Sequence, residues 1–206
     1  MRLIINSGHW KKDSGYVFQE YNERDLCQKI RDRLRDMFPE AEFVPDDLNL
    51  ADSIKWVNER AKPDDLAVDI HLNSNSSSLA KGTSVYHHTQ GELASKLALH
   101  VSMALETINR NAIPDTESYL GELGWCRKLK CPGLVLETCF LTNKEDREKV
   151  LQTKWQVLVA EAIVEFFSSQ KVEPTKTEDT VLVRMARIFG VTVEFLLGII
   201  RNLKNK

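Results

Sequence analysis

The sequence predicts an α/β protein: a mostly parallel mixed sheet flanked by helices on both faces, followed by a small all-α appendage. Three observations carry this. Short apolar runs at residues 2–6, 66–72 and 133–136, bounded by turn residues, read as buried strands. Amphipathic stretches at helical spacing alternate with them, and strands alternating with helices make a parallel, covered sheet. Beyond residue 168 a polar, proline-containing stretch separates this pattern from two short apolar-striped helices.

The first strand, Arg2-Leu3-Ile4-Ile5-Asn6, leads into a loop from Gly8 to Gly15 that carries His9. Asn22 is a good N-cap, with Glu23 and Asp25 suited to the positive first turn. Leu26, Ile30, Leu34 and Met37 then repeat at helical spacing until Pro39 stops the pattern. Glu42-Phe43-Val44-Pro45 reads as a short strand, and Leu50, Ile54, Val57 and Ala61 as a second helix. The central strand Leu66–Asn73 carries His71. Gly82–His88 alternates like another strand, before a long helix with Leu93, Leu97, Val101, Ala104 and Ile108 on one face. Asn111–Ser118 reads as a loop suited to a mobile rim. Gly133–Leu136 is a strand running into Glu137, Asn143 caps a short helix, and Trp155, Leu158, Ala162, Ile163 and Phe166 mark the last core helix. These assignments divide the chain into a main domain over 1–168, a linker over 169–177 and a helical hairpin over 178–206.

Length and composition bound the function. At 206 residues the chain supports one buried core plus an appendage. A formal charge of -2, from 28 basic and 30 acidic side chains, argues against a general nucleic-acid binder. The start lacks the apolar core and cleavage site of a secretory signal, and no run approaches the roughly 20 apolar residues of a membrane span. The expectation is synthesis in the cytoplasm without a signal peptide and no membrane partner. Four cysteines without tight pairing fit reduced thiols. Cys126 and Cys131, with His87 or His88, are a conceivable structural metal set, but their spacing fits no compact zinc template.

The chemistry concentrates where strands end. His9 follows the first strand, His71 lies near the end of the central one, and Glu137 follows a third apolar run, so one shared site is expected. Glu23 sits on the inward edge of its helix start, where a carboxylate is costly unless a cation or donors meet it. Glu20, in the preceding loop, is the rival candidate; His100, at the border of a helix face, reads as structural. His9, Glu23 and His71 supply a His/Glu/His set for one zinc ion, leaving Glu137 as a spare carboxylate to move a proton in hydrolysis.

Four segments carry a resemblance. Ser7-Gly8-His9, Asn22-Glu23-Arg24-Asp25-Leu26, Ile70-His71-Leu72-Asn73 and Pro132-Gly133-Leu134-Val135-Leu136-Glu137-Thr138-Cys139-Phe140-Leu141-Thr142-Asn143 resemble, in order, the signature blocks of zinc-dependent N-acetylmuramoyl-L-alanine amidases, found in bacterial cell-wall hydrolases and phage endolysins. The resemblance implies one zinc per chain on His9, Glu23 and His71, with Glu137 matching the catalytic Glu. It implies hydrolysis of the amide joining N-acetylmuramic acid to L-alanine in peptidoglycan. Trp10 replaces the family's usual Gly, and Leu72 its Ala, which would reshape the rim. The alternatives are a zinc carboxypeptidase acting on stem peptides and a host autolysin or sporulation amidase. The expected setting is phage lysis, the enzyme acting on the cell wall after release.

The segment Met185–Gly198 resembles the last two helices of phage-repressor-type domains. From Glu178 onward, however, there are only five basic and three acidic residues, which is thin for duplex binding. No nucleic-acid partner is expected. Residues 178–206 read instead as a wall-binding or self-association element, giving a possible homodimer.

Overall fold

The computed structural model describes residues 1–171, and the chain divides into two compact units, Met1–Ser169 and Gln170–Lys206. The expected hairpin over 178–206, with its wall-binding or dimer role, lies outside the described residues.

The first unit is built on a six-stranded sheet. Its strands are β1 (Leu3–Ser7), β4 (Glu42–Phe43), β5 (Leu66–Asn73), β6 (Thr83–His87), β7 (Asn109–Pro114) and β8 (Gly133–Phe140), in the order β4-β1-β5-β8-β6-β7. β2 (Val17–Phe18) and β3 (Tyr21–Asn22) form a separate two-stranded hairpin. β4, β1, β5 and β8 are parallel, while β6 runs antiparallel to β8 and carries β7 parallel to itself. The parallel strands are buried on both sides, which is why they read as near-continuous apolar runs.

Alternation along these strands sorts side chains between two cores. Leu3, Ile5, Val68, Ile70, Leu134 and Leu136 enter the larger core, with α1 (Glu23–Met37), α3 (Gly91–Ala104) and α6 (Thr153–Lys171). Ile4, Ala67 and Val135 face the smaller one, with α2 (Leu50–Arg60) and α4 (Gly124–Lys128). α1 buries Leu26, Ile30 and Leu34, each contributing about 1.5–3 kcal/mol by removal from water. Its Asn22 cap accepts a hydrogen bond from the Asp25 amide, as the sequence suggested. α5 (Lys144–Val150) starts on the Asn143 cap.

Four segment readings need correction. Residues 111–114, the first half of the expected loop over 111–118, belong to strand β7 (Asn109–Pro114); this edge strand is mostly exposed, so it lacks the apolar run that announces an interior one. α3 ends at Ala104, so Ile108 leaves the helical stripe and is exposed. The rim after β7 is not loose. Asp115 is buried, accepts two hydrogen bonds from Arg127 at 2.6 and 3.0 Å, and accepts a third from the Leu123 amide. Finally, α6 continues to Lys171, so the start of the expected linker is helical.

Candidate metal centre

Residues on one face of the sheet converge at the carboxyl ends of the parallel strands. Asp69 and His71 share a face of β5 because they are two apart, and Glu137 pairs with His71 in register across β8. Sequence analysis placed Glu137 after a strand, whereas it lies inside one, held by β5 on one side and by Ser84 of β6 on the other. His9 follows β1 with φ at 70°, a left-handed conformation that histidine tolerates better than most residues, and its ring centroid lies 5.0 Å from that of His71. Glu23 arrives from the opposite helix layer as the first residue of α1.

Glu23 is the hub. Its Oε1 lies 2.9 Å from His71 Nδ1 and accepts a hydrogen bond from the Leu72 amide at 3.1 Å. Its Oε2 lies 2.9 Å from His9 Nε2 and accepts one from the Tyr16 amide at 3.1 Å. The β2–β3 hairpin, which the sequence did not announce, brings Tyr16 into place, since the Glu23 amide in turn donates to the Tyr16 carbonyl. The far nitrogen of each imidazole meets another carboxylate: His9 Nδ1 is 2.9 Å from Asp13, and His71 Nε2 is 3.2 Å from Asp69. Two glycines make room. A Cβ on Gly8 would sit 2.5 Å from the His71 ring, and one on Gly15 would sit 2.5 Å from the His9 ring and 2.7 Å from Glu23.

Burial alone would raise the Glu23 carboxyl, but the two imidazoles outweigh it and hold the group well below the ordinary carboxylate range. Burial would lower His71, yet Asp69 and Glu23 hold it well above a normal histidine; His9 is raised in the same way, chiefly by Glu23. Glu137 goes the other way. Burial lifts it to about 7, with His71 opposing the rise and Glu23 and Asp69 adding to it. Its Oε2 has no hydrogen-bond partner, nor does the buried His9 Nε2, whose contact with Glu23 is out of line for one.

His9, Glu23 and His71 each offer a donor atom within 4.8 Å of the others, wider than the roughly 3.4 Å between donors around a tetrahedral ion with bonds of about 2.1 Å but within reach of it by small side-chain shifts. An anionic carboxylate between two imidazoles, with one ring nitrogen orphaned, fits a zinc ion by donor type and by charge. Among the described residues these three are the cluster so arranged. Glu20 and His100 are not in it, and His100 instead sits 2.8 Å from the Lys96 carbonyl and beside Phe166. His87 and His88 do not line the cavity. Cys126 and Cys131 are free thiols that burial pushes up to about 12 and about 11, so neither offers a thiolate. The cluster opens into a cavity of about 540 Å³, with Asn6, Asp69 and Glu137 on its floor and Trp10, Tyr119 and Leu120 among its walls.

The profile of the N-acetylmuramoyl-L-alanine amidase family matches residues 3–168, four-fifths of the chain. The chain belongs to that family. It is therefore a hydrolase of the amide between N-acetylmuramic acid and L-alanine in peptidoglycan. An uncharacterised protein of Bacillus subtilis (strain 168), YqiI, is 28% identical over 173 residues, 79% of this chain and 81% of its own length. The amidase LytC of the same organism is 24% identical over 166 residues, covering 78% of this chain but 34% of LytC. The fold matches the catalytic domain of the amidase CwlV from Bacillus (Paenibacillus) polymyxa var. colistinus. That match has a TM-score of 0.73 and 21% identity, and covers 82% of this chain and 98% of that one. An amidase from Clostridium difficile 630 matches with TM-score 0.73 at 20% identity, covering 85% and 98%.

Proposed function

We propose that amide hydrolysis takes place at this cluster, with His9, Glu23 and His71 as the protein ligands of one zinc ion and Glu137 as the proton-transfer group. The observation that carries the reading is the convergence of two imidazoles on the two oxygens of one buried carboxylate, with the unpartnered Glu137 Oε2 on the same cavity. When bound, zinc supplies Lewis-acid polarisation of the scissile carbonyl and makes an attacking water more acidic.

The protein's own residues do the rest. The Leu72 and Tyr16 amides fix both oxygens of Glu23, so its orientation does not depend on the cation. Glu137, rigid within β8, takes a proton from water and returns it to the departing alanine nitrogen. A carboxyl lifted to about 7 is suited to both halves of that task, because neither protonation state is far out of reach.

The lytic setting belongs to the same proposal. It is supported by the resemblance of the four sequence blocks to endolysins and by the likeness of the fold to the catalytic domain of the CD27L endolysin, with TM-score 0.59 at 22% identity.

The test is mass spectrometry of digested cell wall. Wild-type enzyme should release whole stem peptides with N-terminal alanine, and chelator or His71→Ala should abolish both zinc binding and release. Single amino acids freed from peptide ends would instead indicate a carboxypeptidase. A His71→Ala variant with a full equivalent of zinc would overturn the ligand assignment.

A further inference from the structure

The outer nitrogens of the two imidazoles meet carboxylates in unlike surroundings. Asp13, beside His9, has a side chain 52% exposed. Asp69, beside His71, is 3% exposed, and its other oxygen accepts a hydrogen bond from Asn6 Nδ2 at 2.8 Å in a fully buried contact. Asn6 and Asp69 are register partners on β1 and β5, so two rigid strands fix this pair. Asn6, Asp69 and His71 form a chain: the Asn6 amide donates to Asp69 Oδ1, and Asp69 Oδ2 lies 3.2 Å from His71 Nε2.

We propose that Asp69, oriented by Asn6, is a positioning residue that sets the tautomer and ring angle of His71. This rests on the reading of His71 as a zinc ligand. Carboxylates face both ring nitrogens, Glu23 at Nδ1 and Asp69 at Nε2; with a cation held between Nδ1 and Glu23 the ring's proton belongs on Nε2, where the Asp69 carboxylate accepts it and fixes the ring angle. Asn6 supplies the direction. It occupies one Asp69 oxygen and turns the other to the ring.

The chain of donors makes a sharp prediction. In Asp69→Asn, a nearly isosteric change, the new amide must present its oxygen to Asn6 Nδ2, which leaves its NH2 facing His71 Nε2. That face then opposes an Nε2–H, the form in which Nδ1 is free for zinc, so zinc binding must turn the new amide or break its bond to Asn6. The exchange Asn6→Asp/Asp69→Asn reverses the donor order. Aspartate at position 6 accepts from the new amide, whose oxygen again accepts from His71 Nε2–H.

The experiment measures zinc affinity by competition with a chromophoric chelator, and the His71 Nε2–H signal by long-range 1H–15N NMR in zinc-loaded protein. Asp69→Asn should weaken zinc binding on the order of 10- to 100-fold and shift the ring proton's resonance away from its carboxylate-bonded position, with one equivalent still bound at saturating zinc. The double exchange should return that resonance toward its wild-type position and recover most of the affinity. Unchanged affinity and an unchanged ring proton in Asp69→Asn would overturn the proposal, as would a double exchange no better than the single variant. Failure of Asp69→Asn to bind zinc at any concentration would overturn it too, by making Asp69 a ligand. The underlying reading fails separately, if His71→Ala keeps zinc.

Discussion

Gly8→Ala offers a displacement of known direction inside the site. A Cβ at this position would lie 2.5 to 2.6 Å from three atoms of the His71 imidazole, against an ordinary contact of at least 3.4 Å. The backbone cannot retreat easily, because the Gly8 amide donates to the Ile70 carbonyl at 2.7 Å and so ties the loop to β5. Gly8 also has no positive φ, so alanine brings no conformational strain of its own. The ring, which lines the cavity, must therefore give way by about 0.9 Å. A misplacement on the order of 1 Å costs about 10²-fold where catalysis depends on held geometry. The expected result is zinc affinity and muropeptide turnover both lowered by about that factor, while the thermal midpoint of metal-free protein shifts little. Zinc titration, turnover on purified peptidoglycan and calorimetry measure the three quantities. Zinc affinity and turnover within a few-fold of wild type would refute the reasoning. So would a collapse of metal-free stability, because the methyl would then be straining the fold rather than moving a ligand.

Two other perturbations separate roles. Glu137→Gln keeps the shape of a buried side chain but removes its ability to carry a proton, so zinc stoichiometry should hold while turnover falls about 10²- to 10⁴-fold; activity within a few-fold of wild type would send the proton-transfer role elsewhere. Asp115→Asn removes the charge that Arg127 holds below the usual carboxylate range, and the fold should lose about 2 kcal/mol at neutral pH. Because the folded carboxyl is depressed, its contribution is present above the unfolded value of about 3.9 and lost as pH falls below it. The gap between wild type and variant in denaturant midpoints should therefore close in acid, and a gap that widens there would contradict the assignment.

The interior of the fold was legible because parallel strands buried on both faces leave unbroken apolar runs, as at Leu66–Leu72 and Gly133–Leu136. Edge elements were not. β7, over Asn109–Pro114, carries Arg110 and three consecutive exposed residues, and only its pairing with β6 makes it a strand. Of the cluster, His9, Glu23, His71 and Glu137 were nameable from residue type and position. The carboxylates behind the imidazoles were not named, although Asp69 had a signal: it lies two residues before His71 and so shares its strand face. Asn6 had no comparable signal, since its role appears only when register sets β1 beside β5. The small β2–β3 hairpin was hidden for the same reason, being too short to show alternation.

Four carboxylates around one cavity would repel if each were treated alike, and the structure treats each differently. Asp13 is left half in water, where it also accepts a hydrogen bond from the Gly15 amide. Asp69 is buried but met by Asn6 and His71. Glu23 is buried and met on both oxygens, by two backbone amides and two imidazoles, so it stays anionic far into acid. Glu137 is buried with one oxygen unmatched, and burial pushes it upward, to about 7. Pairs of like groups driven apart in this way take different tasks. In the reading proposed above, the carboxylate met on both oxygens holds the cation, and the one with an unmatched oxygen changes its proton. His71 links them, since it faces Glu23 through one nitrogen and sits in register beside Glu137. On that reading a shift of its ring moves the cation site relative to the proton carrier, which is why Gly8, whose added Cβ would meet the His71 ring first, should control both.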